Sequence, residues 1–124
     1  MSISFTDREA EFMQVLWQHG PSTVSEVRQH LPDEPAYTTV LTILRNLEGK
    51  GYVGHVEDGR AHRYSALVDS DSARQSALRA LVHKLFEGST ELLLTHLVSD
   101  RRLSGAELKR IRKLLDDLPK AGKS

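Results

Sequence analysis

The sequence describes a mainly helical α+β chain, and three observations point there. Apolar residues recur at helical spacing in three short segments before residue 51. Two segments of extended character then flank an Asp58-Gly59 pair, a strong hairpin signal. Helical periodicity returns near residue 69 and runs almost to the end of the 124 residues. Three helices followed by a β-hairpin make a winged helix-turn-helix. The helices beyond it form a second region, so the expected division is residues 1–68 and 69–124.

The first helix opens at Thr6-Asp7-Arg8-Glu9. Thr6 suits the N-cap and Glu9 the third helical position, a reciprocal capping box. Phe5 is placed as a hydrophobic staple, and Phe12, Met13, Leu16 and Trp17 form the buried stripe. His19-Gly20-Pro21 ends the helix. Thr23 and Glu26 repeat the capping pattern before Val24, Val27 and Leu31. Pro32-Asp33-Glu34-Pro35 breaks the chain. The third helix lies within Ala36 to Gly51, with Val40, Leu44 and Leu47 on one face and Ile43 beside them. It stops at Gly49-Lys50-Gly51.

Tyr52 to Glu57 and Arg60 to Ser65 are the hairpin strands. A turn centred on Asp58-Gly59 sets Val53 opposite Tyr64 and His55 opposite His62. A long helix then runs to about Phe86, with Leu78, Leu81, Leu85 and Phe86 in its apolar stripe. The next, roughly Thr90 to Val98, carries Leu93, Leu94 and Leu97 and is apolar around most of its circumference. A third box, Ser104 with Glu107, opens the last helix, which turns Ile111 and Leu115 inward. Three helices in under sixty residues cannot readily enclose these side chains, so a symmetric partner is the expected cover.

The chain has no cysteine, which excludes disulfides, thiol catalysis and thiolate metal sites. No apolar run is long enough to span a bilayer, and no secretion signal opens the sequence. Membrane insertion is therefore not expected, and a cytoplasmic protein is. Residues 1–67 carry six Lys/Arg and nine Asp/Glu, net −3, so residues 68–124 are net +3. The acidic half holds the third helix, an unfavourable balance for a domain that meets nucleic acid.

That helix nonetheless carries the most suggestive polar set. Thr38, Thr39, Thr42, Arg45 and Asn46 lie away from its apolar stripe. Small hydroxyls, an amide and a guanidinium suit the edge of a double-stranded DNA groove. In a helix-turn-helix this is the element that reads bases. Arg60 at the hairpin tip and Arg63 on the returning strand are placed to reach phosphates or a minor groove.

Other classes have less support. No glycine-rich phosphate loop, nucleophile triad or HExxH motif occurs, so neither enzymatic activity nor a cofactor is expected. His55 and His62 could form a two-ligand nucleus for a metal-responsive regulator, but two ligands do not make a site. His19, His30, His83 and His96 show no ligand spacing with each other. A winged helix that binds proteins remains the alternative that the acidic first half permits.

The string Ala36 to Gly51, AYTTVLTILRNLEGKG, resembles the signature of the BlaI/MecI penicillinase-repressor family. So do Glu9 with Val15-Leu16-Trp17, Gly59-Arg60-Ala61 with Arg63-Tyr64, and Leu103-Ser104 with Glu107-Leu108. The match runs in order from about Thr6 to Leu115. It implies a homodimeric winged-helix repressor on an inverted-repeat operator, possessing the base-reading positions Thr38, Thr39, Thr42 and Arg45, with Asn46 adjacent. Ser22, Thr23, Arg60 and Arg63 match phosphate-contacting positions, and the C-terminal helices match the dimerisation region. β-Lactam-responsive relatives are inactivated by a membrane sensor-protease that cuts an Asn-Phe bond. The aligned position here, near His96-Leu97, lacks that bond. Copper-responsive relatives use a cysteine site that this chain also lacks.

Overall fold

The computed structural model describes residues 3–100 and 103–119. Its elements in chain order are α1 (Asp7–His19), β1 (Ser22–Thr23), α2 (Val24–His30), α3 (Tyr37–Gly49), β2 (Val53–Asp58), β3 (Ala61–Ala66), α4 (Ser70–Leu85), α5 (Thr90–Ser99) and α6 (Gly105–Asp116). The chain divides into two compact units, residues 1–80 and 81–124, with the division inside α4. The link beyond residue 68 stays with the first unit for identifiable reasons. Trp17 Nε1 donates to the Val68 carbonyl at 2.9 Å, Ser76 Oγ accepts from the Ile3 N–H at 2.8 Å, and Ala73 is buried.

In the first unit, α1, α2 and α3 enclose a core closed on one side by a three-stranded antiparallel sheet of order β1-β3-β2. Phe12, Met13, Val27, Val40, Leu44, Leu47, Val53 and Tyr64 have essentially no exposed surface. The capping boxes of Thr6 with Glu9 and Thr23 with Glu26 both form, which matters most for α2, whose seven residues are too few to hold a helix alone. Phe5 makes ring contacts far along the chain. Its ring packs edge-on against Trp17 at 6.2 Å and Tyr52 at 4.9 Å, tying the residues before α1 to the approach to the hairpin.

Two features differ from expectation. Ser22 and Thr23 form a strand, pairing with Tyr64 and Arg63. The hairpin register is also displaced by two residues, with the turn moved on by one: Val53 faces Ala66, His55 faces Tyr64, and Asp58 faces Ala61. The turn residues are Gly59 and Arg60, not Asp58 and Gly59. Gly59 takes φ +63°, the left-handed value that a tight hairpin demands of its first central residue, and glycine adopts it without a Cβ clash. The displacement preserves which face each side chain occupies, because the strand period is two.

The second unit has a different character. Ser104 and Glu107 form their capping box, and Ser89 caps α5 by accepting from the Leu92 N–H. Yet neither α5 nor α6 contains a buried residue. Leu85, Leu97, Val98, Leu114 and Leu115 are all exposed.

Candidate nucleic-acid interface

The α3 helix is built with two unlike faces. Val40, Leu44 and Leu47 are wholly buried, which anchors one side in the core. Thr38, Thr39, Thr42, Arg45 and Asn46 are all exposed on the remaining surface. Thr42 Oγ1 donates to the Thr38 carbonyl at 2.9 Å, so its proton is spent within the helix while its oxygen still accepts. Tyr37, at the first helical position, is 51% exposed. Sequence spacing does not reveal this, since Tyr37 stands three residues before buried Val40. Only its place in the first turn, beyond the reach of the core, leaves the ring in solvent.

Arg45 stands beside the buried Tyr64. Burial is the main cause that lifts the Tyr64 hydroxyl above the ordinary phenol range. The nearby Glu48 carboxylate adds to this, while the charge and hydrogen bond of Arg45 oppose it. Glu48, at the end of the same helix, reaches the wing: its carboxylate oxygens lie 2.7 and 2.9 Å from His55 Nδ1. His55 and His62 lie diagonally across the hairpin, not directly opposite. Their rings stack with centroids 4.2 Å apart. His19 and His30, whose spacing suggested no relation, also stack, at 3.7 Å, because α1 and α2 end side by side. Among the described residues no group of three or more His, Asp or Glu could hold a metal ion.

The two wing arginines have different fates. Arg60 is exposed in the turn. Arg63 is drawn inward: its guanidinium donates to Asp58 at 2.9 and 2.8 Å, to Glu26 at 2.9 Å and to the Pro21 carbonyl at 3.2 Å. The Asp58 hydrogen bond leads the causes that raise its already high pKa. With its donors turned to the protein and its charge shared by two carboxylates, Arg63 braces the wing against α2. Ser22 and Thr23 are likewise occupied. Ser22 is buried and donates to the Gly20 carbonyl at 2.8 Å, and Thr23 Oγ1 accepts from the Glu26 N–H at 3.2 Å. Their side chains hold the start of α2 in place.

The acidic balance of the first 67 residues also looks different once folded. Arg8 joins Glu11 and Asp33, Arg63 joins Glu26 and Asp58, Lys50 joins Glu9, and His55 joins Glu48. Most carboxylates are therefore engaged by the protein itself. Three of the six Lys/Arg of residues 1–67 are spent in the same exchange, leaving Arg28, Arg45 and Arg60 of that stretch without an ion pair among the described residues. Of these, Arg28 donates through Nε to the Pro35 carbonyl.

Comparison with known proteins gives this geometry a context. The family profile described as penicillinase repressor matches residues 5–117. The transcriptional regulator BlaI of Mycobacterium tuberculosis is 34% identical over 116 residues, covering 90% of this chain and 83% of that protein. The penicillinase repressor of Bacillus licheniformis is 24% identical over 114 residues, covering 90% and 89%. The methicillin resistance regulatory protein MecI of Staphylococcus aureus is 21% identical over 110 residues, covering 87% and 89%. On a match that takes in both compact units, the chain belongs to the penicillinase repressor family.

Proposed function

We propose that this chain is a transcriptional repressor that binds double-stranded DNA sequence-specifically and acts by occupancy, not catalysis. The observation that carries this reading is the α3 helix. One face is locked into the core through Val40, Leu44 and Leu47, and the other presents Thr38, Thr39, Thr42, Arg45 and Asn46 to solvent. A rigidly seated helix with small hydroxyls, an amide and a guanidinium outward suits a major groove. Arg60 serves the backbone beside it. The working form is a homodimer on an inverted repeat, joined through the exposed leucines of the C-terminal helices, so that the protein two-fold axis coincides with the operator dyad.

The names of the relatives point to β-lactam-response genes as targets. A sensor-protease partner belongs to the same reading, acting at a bond of another kind. Asn46 is the one asparagine in the chain and Leu47 follows it, so the sequence holds no Asn-Phe bond. The test is binding to duplex DNA from immediately upstream of the protein's own reading frame, against a shuffled duplex. Preference for the upstream duplex, with affinity falling steeply as salt rises, supports the reading. Equal binding to both, or affinity indifferent to salt, overturns it.

A further inference from the structure

We propose that Glu9 is a positioning residue for the DNA-reading face, acting through Lys50 to set where Arg45 and Asn46 stand. The inference rests on the repressor reading above and adds to it a residue in a different helix. A glutamate at the third position of a capping box needs only the N-cap N–H and is ordinarily solvated. Glu9 is different, because its side chain is only 7% exposed. Its Oε1 accepts from the Thr6 N–H at 2.9 Å, and its two oxygens accept from Lys50 Nζ at 3.0 and 2.8 Å. Burial alone would raise its pKa. The Lys50 hydrogen bonds, the Thr6 N–H and the Lys50 charge outweigh that and hold it below the ordinary carboxylate value.

A buried carboxylate tolerates the loss of its counter-charge poorly, so Lys50 is pinned where it lies. Lys50 is also the residue that closes α3. Its N–H donates to the Asn46 carbonyl at 3.1 Å, and Gly51 turns the chain away at φ +84°. The start of α1 therefore grips the last turn of the recognition helix. Glu9, Lys50, Arg45 and Asn46 line one open cleft of about 460 Å³ between these two elements. Two consequences separate a strut from a phosphate contact. Lys50 contributes nothing to the grip on DNA, since its charge is matched within the protein. Removing the pair relaxes base discrimination rather than binding as such.

The experiment uses the full chain with Glu9→Gln, Lys50→Gln and Lys50→Arg, each checked for a cooperative thermal melt. Dissociation constants are measured across a salt series for the upstream duplex and for a shuffled duplex of equal composition. Glu9→Gln keeps an acceptor for Thr6 but loses the ion pair. It and Lys50→Gln are expected to lose roughly tenfold or more of the preference for the upstream duplex, with binding to the shuffled duplex unchanged. Lys50→Arg keeps the pair and the preference. Should Glu9→Gln fail to melt cooperatively, Lys50→Gln decides. Neutral variants that fold and discriminate as the unmodified chain does overturn the positioning role alone. A salt slope made shallower by Lys50→Gln also overturns it, because Lys50 would then be touching phosphate. An unmodified chain with no preference overturns the repressor reading, and this inference with it.

Discussion

Arg45 and Arg63 show how little residue type decides without its neighbours. Both are arginines near the wing–helix junction, yet one is exposed beside Tyr64 and the other is held by two carboxylates and a carbonyl. Arg45→Ala should cost about 1–3 kcal/mol of binding, and the loss should depend on sequence at one operator position, as a panel of single-base operator variants would reveal. An even loss across the panel would make Arg45 a phosphate contact. Arg63→Ala should instead lower the melting temperature and leave the salt slope of binding unchanged, because its charge is already balanced. Acid should act through the same paired carboxyls. Glu9, Glu26 and Asp33 are held below their ordinary values of 4.5, 4.5 and 3.8, Glu9 despite its burial and the other two chiefly by hydrogen bonds from Thr23 and Arg8. A depressed carboxyl stabilises the fold above its unfolded pKa, and that contribution disappears as pH falls through the folded value. Thermal stability should therefore stay level on these groups' account from neutral pH to about 5 and decline below that. In Glu9→Gln the decline should be smaller.

Among the elements, α2 depends most on its ends. It is short, its N-cap hydroxyl belongs to Thr23, and the same residue pairs with Arg63 across β1 and β3. Thr23→Ala should cost about 1 kcal/mol in urea unfolding, the usual loss for such a cap. If Thr23 acts only as a cap, DNA affinity measured well below the unfolding midpoint should hardly change. A large affinity loss without loss of stability would show its hydroxyl to be a DNA contact, as the family resemblance implies. The hairpin makes a related point. Asp-Gly correctly marks a reversal, but Gly59-Arg60 occupies the turn, which places Arg60 at the tip itself.

For the whole molecule, the uncovered C-terminal leucines and the scarcity of unpaired cations in residues 1–67 point in one direction. Residues 1–67 of one chain offer Arg28, Arg45 and Arg60, too few for a firm grip, and the proposed dimer doubles that number. If the DNA contacts come from these cations, about six in the proposed dimer, log affinity against log salt should have a slope near −5. Leu97 is 48% exposed on α5, a helix with no buried residue. Leu97→Asp should yield monomers in sedimentation experiments and lower operator affinity roughly 10²- to 10⁴-fold through lost avidity. A dimer that persists in this variant would place the interface elsewhere.

The order of helices, their caps and the buried stripes of Val40, Leu44 and Leu47 were readable without coordinates. They arise from local periodicity and from hydrogen bonds three residues apart, which neighbouring residues suffice to specify. The outward set on α3 was readable for the same reason, as the complement of that stripe. Long-range pairing was not. That Ser22 and Thr23 join β3, that Arg63 turns toward Glu26, and that Glu9 receives Lys50 from 41 positions away depend on which surfaces meet when the helices pack. A charge count treats each ionisable group as free, whereas in residues 1–67 folding engages most of the carboxylates and half of the Lys/Arg. The sequence alone thus settles which helix faces outward, and the packed chain settles which of its cations are left to meet DNA.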